Sequence, residues 1–270
     1  MPAVTSLGKR LRLQRLLDPS TGRAVIIPLD HGISIGPVPG IIDLPRTVRD
    51  VTEGGATGIV MHKGLVRLAA PALTPRAGLM VHLSASTDLN PDPNDKRLVG
   101  TVEEAVRLGA DGISVHVNIG APEESRMVED MGRIATECDK WGMPLLAMMY
   151  PRGHEIRNPH DVKFVRHVAR VGAELGADLV KCPYTGSVDT FREVVEGCGV
   201  PVLISGGPRL DSDTAFLETV HAATRAGAAG VSVGRNIWQH RDVRGMTRAI
   251  ADIVMRGATV EEAQRHLKGP

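Results

Sequence analysis

A chain of 270 residues with a formal net charge of +1 and only 3% aromatic residues offers neither the basic stripe nor the stacking platform that nucleic-acid binding requires. Its three cysteines, Cys138, Cys182 and Cys198, are odd in number and form no CxxC, which argues against a disulfide framework or a zinc knuckle and fits a reducing cytoplasm. Lys9 and Arg10 precede no apolar run and no segment approaches transmembrane length, so the expectation is a cytoplasmic protein without a membrane partner.

In chain order, residues 5–17 read as an amphipathic helix, stopped at 18–22 by a turn containing Pro19 and Gly22. Eight short apolar runs follow, at 24–29, 57–62, 79–83, 112–117, 145–149, 177–182, 202–204 and 229–233, each with the length and flanking breakers of a buried strand. Helical periodicity fills intervals between them, as at 102–108, 124–141, 161–175, 188–196 and 214–225. This alternation predicts a parallel sheet with crossover helices. A faint repeat marks the junctions: Gly55-Ala56-Thr57-Gly58, Gly109-Ala110-Asp111-Gly112, Gly176-Ala177-Asp178 and Gly227-Ala228-Ala229-Gly230 stand where helices should end. Glycine there supplies the left-handed residue that stops a helix. Eight βα units spaced about 20–35 residues apart predict a closed (β/α)8 TIM barrel. The expectation is one domain over 1–270, with 1–23 as a short N-terminal helical extension. The alternative, an open doubly wound sheet, wants GxGxxG after the first strand, where PLDHGIS stands instead. Residues 88–97, rich in Pro and Asp, read as one long βα loop and a candidate lid.

The sixth run, within GADLVKCPYTG, carries Lys181 at its carboxyl end. Burying an ammonium is costly unless it is paired or loses its proton. A desolvated lysine, partly neutral near pH 7, attacks carbonyls to form a Schiff base. The bland alternative is a strand-end lysine reaching solvent. In a barrel of this kind the active site lies where strands end and βα loops begin. Those positions hold Asp30-His31, His62-Lys63, Ser84, His116 and Asn118, Tyr150-Pro151-Arg152, Lys181 and Tyr184, Ser205-Gly206-Gly207, and Gly234-Arg235. Titratable groups gathered at one rim of apolar strands are hard to explain as packing. Gly206-Gly207 and Gly234-Arg235, after the last two strands, fit a phosphate site, because glycine lets backbone N–H groups approach an anion and arginine adds a charge-assisted bond. A phosphorylated carbonyl compound is the natural companion of an imine-forming lysine.

These residues carry a resemblance. PLDHGIS, HLSAS with PDPNDK, MMYPRG, GADLVK, GGP and VGRNI with QH, spread from about Pro28 to Ala263, make the chain similar to the archaeal-type class I aldolases, the DhnA-like group of (β/α)8 Schiff-base aldolases. Within the group, DHGISIGP and Met148 pull the resemblance towards the 2-amino-3,7-dideoxy-D-threo-hept-6-ulosonate synthase branch and away from the fructose-bisphosphate aldolase branch. The resemblance implies Lys181 as the Schiff-base lysine, Tyr150 as proton donor and Asp30 as proton acceptor. It also implies substrate contacts from Asp30, His31, Gly32, Ile33 and Ser34, from Tyr150, Pro151 and Arg152, and from Gly206, Gly207, Gly234 and Arg235. No cofactor and no metal are expected beyond the covalent lysine imine, and the family often forms homo-oligomers.

The implied partners are small molecules, an aldehyde and a phosphorylated ketone. L-aspartate 4-semialdehyde is the expected acceptor, with dihydroxyacetone phosphate or a deoxy-ketohexose phosphate as donor. Four alternatives stay open. Lys63 is a rival strand-end lysine. His31, His62, His82 and His116 invite a zinc-dependent aldolase, although they show no HxH or HxxxH spacing. A fructose-1,6-bisphosphate aldolase needs a second cationic cluster, for which the spare cations read as Lys63, Arg152 and Arg209. A non-catalytic phosphosugar-binding barrel needs neither Lys181 nor Tyr150. Asp30 either accepts the reaction proton or orients Lys181 during imine formation.

Overall fold

Successive residues of a strand face opposite sides of a sheet, and this alternation sorts the apolar runs into two cores. Ala24, Ile26, Val60, Met80, Leu146, Met148, Leu179 and Leu203 form one cluster. Their strand neighbours Val25, Ile27, Ile59, Val81, Ala147, Val180 and Ile204 belong to a second and larger one, packed with the surrounding helices. The first cluster is the inside of a barrel and the second is its jacket. In the computed structural model, which describes residues 6–267, the strands are β1 (Ala24–Pro28), β2 (Gly58–Met61), β3 (Gly78–His82), β4 (Gly112–Ile119), β5 (Leu145–Pro151), β6 (Leu179–Cys182), β7 (Val202–Ser205) and β8 (Gly230–Ser232). Each pairs in parallel with the next and β8 closes onto β1. The expected (β/α)8 barrel is the fold.

The junction glycines behave as the repeat implies: Gly55, Gly109, Gly176 and Gly227 all have left-handed backbone, with φ between 81° and 103°. The aspartates of the repeat add a second function. Asp111 Oδ2 accepts the N–H of Leu79 at 2.9 Å, and Asp178 Oδ2 accepts that of Leu145 at 2.8 Å, so each ties the start of the preceding strand.

The amino-terminal helix, Leu7–Leu16, departs from the expected amphipathic packing; Thr5, the start of the expected segment, lies outside the described residues. Leu7 and Leu11 are exposed, and within the helix only Lys9 and Leu16 are buried. The face it turns to the barrel, residues 9, 12, 13 and 16, is half polar, and Leu16 is its one fully buried apolar side chain. Leu16 seals the floor: a Cβ on Gly78 or Gly112, the first residues of β3 and β4, would stand 2.8 or 2.9 Å from its methyl groups. Glycine at these positions makes the seat for that side chain. Lys9 Nζ anchors the helix to Asp139 at 2.5 Å and Asp178 at 3.1 Å.

Candidate active site

At the opposite end the inward positions become polar. On β6 the alternation that points Leu179 inward also points Lys181 inward, where it is 6% exposed. Among the described residues Lys181 has no ion-pair partner, and its Nζ lies 4.0 Å from the thioether sulfur of Met148, its register partner on β5. The amine therefore faces a soft apolar neighbour and opens onto a cavity of about 340 Å³.

Asp30, two residues beyond the last inward position of β1, points into the same cavity. Burial alone would favour its protonated form, but contact with His31, whose Nδ1 lies 3.3 Å from Oδ1, and the positive field of Lys181 hold the carboxyl well below the usual carboxylate range. His82 Nε2 stands 3.7 Å from Asp30 Oδ2, and His82 Nδ1 shares a 2.8 Å hydrogen bond with Ser114 Oγ inside the barrel. Burial pushes His82 down to about 3, so its imidazole is neutral at pH 7. His62, edge-on to His82 at 5.2 Å between ring centroids, is also shifted down by burial.

Tyr150 has two planar neighbours. The ring of His116 lies 4.8 Å away at 31°, and the Arg152 guanidinium stands 4.8 Å from the ring centroid, within the range of a cation over an aromatic face. His116 is held by two bonds: its backbone N–H donates to Ser84 Oγ at 3.0 Å and Nε2 meets Asn118 Oδ1 at 2.9 Å. Burial, with the charges of Lys96 and Arg152, keeps His116 well below the usual histidine range. Neutral His116 therefore acts as a fixed plate against which the phenol is aligned.

Across the mouth, the loop after β7 and the short helix Arg235–Trp238 after β8 form a cradle. A Cβ on Gly234 would come within 3.0 Å of the Trp238 indole nitrogen, of His31 and of the Pro28 carbonyl, so only glycine fits. Gly207 sits at φ 61°. Asn236 binds the two segments: its Nδ2 donates to the carbonyls of Gly206 and Pro208 at 2.9 and 3.0 Å, and its Oδ1 accepts the N–H of Leu210 at 2.8 Å. Ser232 Oγ, Arg235 Nε and His62 Nε2 are buried without a hydrogen-bond partner among the described residues, and all three residues line this cavity. Buried polar groups are normally satisfied, so a polar ligand belongs here.

Asp30, His31, Ile33, Ser34, Tyr150, Arg152, Lys181, Gly206, Gly207, Gly234 and Arg235 all line the one cavity. Two expected contacts do not: Gly32 opens the short helix Gly32–Ile35, and Pro151, at the end of β5, alternates away from the interior. Lys63 is also outside it, paired with Glu104 at 3.0 Å, and Tyr184 packs on Phe191. Arg209 donates to the carbonyl of Gln239 and does not line the cavity. The spare cations are thus Lys96 and Arg152, a correction to the set read from sequence. Sequence reasoning missed Lys96, Ser86, Asp88, Asn94, Ser232 and Asn236. PDPNDK flagged the loop that brings in Lys96, but no periodicity gives the path of an irregular loop. Among the described residues no group of three or more His, Cys, Asp or Glu side chains is placed to hold a metal ion.

The model of the DeoC/LacD family aldolases matches residues 24–240. The chain belongs to that family. This aldolase is 45% identical over 251 residues to 2-amino-4,5-dihydroxy-6-oxo-7-(phosphonooxy)heptanoate synthase of Streptomyces griseus, covering 93% of this chain and 92% of the relative. It is 44% identical over 262 residues to 2-amino-3,7-dideoxy-D-threo-hept-6-ulosonate synthase 1 of Archaeoglobus fulgidus, covering 96% of each. A solved structure of a Schiff-base-forming fructose-1,6-bisphosphate aldolase superposes with a TM-score of 0.83 at 33% identity, over 91% of this chain and 99% of that one. The aldolase is of the class I, lysine-imine type.

Proposed function

We propose that this aldolase joins L-aspartate 4-semialdehyde to dihydroxyacetone phosphate through an imine on Lys181. The observation that carries the reading is a buried lysine, without an ion-pair partner among the described residues, opening onto a cavity that Asp30 and Tyr150 also line. The Lys181 ammonium gives a proton to Asp30, the amine adds to the donor ketone, and that proton returns as the carbinol oxygen leaves as water, giving a protonated imine. Loss of a proton from the hydroxyl-bearing carbon of the donor gives the enamine, with the imine nitrogen taking up the electron pair. The enamine carbon bonds to the aldehyde carbon, the aldehyde oxygen takes a proton from Tyr150, and water hydrolyses the new imine to release product and Lys181. Asp30, held ionised, takes protons during imine formation and enamine release. The cradle of Gly206, Gly207, Gly234 and Arg235 holds the phosphate, with Ser232 and the Arg235 Nε as donors awaiting an acceptor. The imine is the only electron sink in this scheme, which calls on no cofactor and no metal. The cysteines, all buried and unbonded, support a reducing cytoplasmic setting.

A second reading replaces the donor with a deoxy-ketohexose phosphate in a transaldolase-like exchange, supported by the likeness to the Archaeoglobus fulgidus synthase. Dihydroxyacetone phosphate with borohydride should leave a reduced adduct on the peptide containing Lys181, and Lys181→Met should abolish turnover. Each donor is then supplied with aspartate semialdehyde and with glyceraldehyde 3-phosphate, and products are read by mass spectrometry. An adduct on another lysine refutes the mechanism. Fast fructose 1,6-bisphosphate formation, with no amino-acid-containing product from either donor, refutes the substrate.

A further inference from the structure

We propose that Lys96 and Arg152 form a subsite for the carboxylate of the acceptor, with Asp88 in the same wall receiving its ammonium group. The proposal rests on the reading above and names the part of the cavity that selects the acceptor.

Lys96 is delivered by an anchored stretch of loop. On one side of it Asp95 is engaged by Arg126 and by Arg97, the latter at 3.0 Å, and on the other side of that carboxylate Asn94 gives its carbonyl to Asn118 Nδ2 at 2.8 Å. With these neighbours tied, the Lys96 ammonium is left to the cavity, where it donates to Ser86 Oγ. Arg152 is fixed by its own N–H on the Ile119 carbonyl at 2.8 Å and by stacking over Tyr150. Among the described residues neither Lys96 nor Arg152 has an ion-pair partner. Two cations facing one cavity repel each other, and burial together with Arg152 lowers the affinity of Lys96 for its proton. A bound anion removes that penalty.

The topology sets this pole apart from the phosphate cradle. Lys96 follows β3 and Arg152 follows β5, so they flank the end of β4, which lies across the eight-stranded barrel from β8. The cradle follows β7 and β8. Lys181, on β6, lies between the two, as a carbon that joins donor to acceptor must. The sign pattern favours an amino acid over a second phosphate. Asp88, positioned by its N–H on the Ser34 carbonyl at 2.9 Å, lines the same cavity and would repel a dianion. An α-ammonium and an α-carboxylate together match Asp88 with Lys96 and Arg152.

Steady-state kinetics of wild type, Lys96→Met and Lys96→Arg test this with three acceptors: aspartate semialdehyde, butanal and glyceraldehyde 3-phosphate. In Lys96→Met the KM for aspartate semialdehyde should rise about tenfold or more, the scale of one charge-assisted hydrogen bond. The KM for dihydroxyacetone phosphate and kcat/KM for butanal, which has no carboxylate, should each move less than about threefold by the same reasoning. Lys96→Arg should recover most of the loss. An equal loss with butanal, or a matching rise in the KM for dihydroxyacetone phosphate, overturns the assignment. A loss greater with glyceraldehyde 3-phosphate than with aspartate semialdehyde makes the pole a second phosphate site and also overturns it. Failure of the underlying reading is visible separately, in the wild type: an imine trapped at Lys181 with no product from aspartate semialdehyde.

Discussion

In the proposed mechanism Tyr150 and Asp30 divide the proton traffic around Lys181 by their surroundings. Asp30 is held ionised by the groups that face it, while Tyr150 carries a phenol packed against His116 and Arg152. Tyr150→Phe keeps the ring and its stacking but removes the proton. The carbon–carbon bond step should slow by roughly 10²–10⁴-fold, the usual range for a positioned acid–base group, while borohydride trapping at Lys181 persists. Wild-type-like turnover would move the role to another group. The buried histidines give a different prediction, on stability. His82 titrates near 6.5 when unfolded and at about 3 in the fold. Above pH 6.5 both states carry neutral imidazole and its contribution is fully present. As the pH falls from 6.5 towards 3 the unfolded chain binds a proton that the folded one refuses, costing about 1.4 kcal/mol per unit. Asp30, shifted below its ordinary value, begins to lose its contribution only as the pH falls through about 3.9. Unfolding free energies from urea titrations at pH 6.5 and 5 should therefore separate more in wild type than in His82→Gln, by about 2 kcal/mol. Equal separation would show that His82 carries no such linkage.

At the scale of elements, the cradle depends on a residue that need not touch substrate. Asn236 holds the loop after β7 against the helix after β8 through two donated bonds and one accepted bond. Asn236→Ala leaves two carbonyls and one N–H without this partner, at a cost of about 1–3 kcal/mol. The KM for the phosphorylated donor should rise about tenfold, the equivalent of 1.4 kcal/mol, with kcat changed much less. A drop in kcat with KM unchanged would mean that the cradle does not depend on this brace.

The whole molecule separates its two ends. The floor, sealed by Leu16 against glycines of β3 and β4, carries packing, and the carboxyl ends of the strands carry chemistry, as in barrels generally. Leu16→Ala opens a cavity in a fully buried site and should cost about 2–5 kcal/mol in urea unfolding. The kcat/KM of the folded fraction should stay within about twofold, since the floor touches no reacting group. A comparable loss of kcat/KM would show that the two ends are coupled.

Much of this was legible from residue order alone, because the signals are local. Strand length, alternation and helix-stopping glycines are properties of short segments, and they determine eight βα units and hence the barrel. Position at the carboxyl end of a strand is local too, so Lys181, Tyr150, Asp30 and the two glycine pairs could be assigned to one rim, along with Lys63 and Tyr184, which the fold turns away from the cavity. Tertiary structure decided what depends on paths through space. The route of residues 86–97 brings Lys96 and Asp88 into the cavity, and the Lys63–Glu104 and Arg209–Gln239 contacts take two other cations out of consideration. The brace from Asn236 and the plate from His116 join residues distant in sequence. The amino-terminal helix shows the same division. Its helical character is local, but the face it buries is set by the floor it meets, and that floor exists only once the barrel has closed.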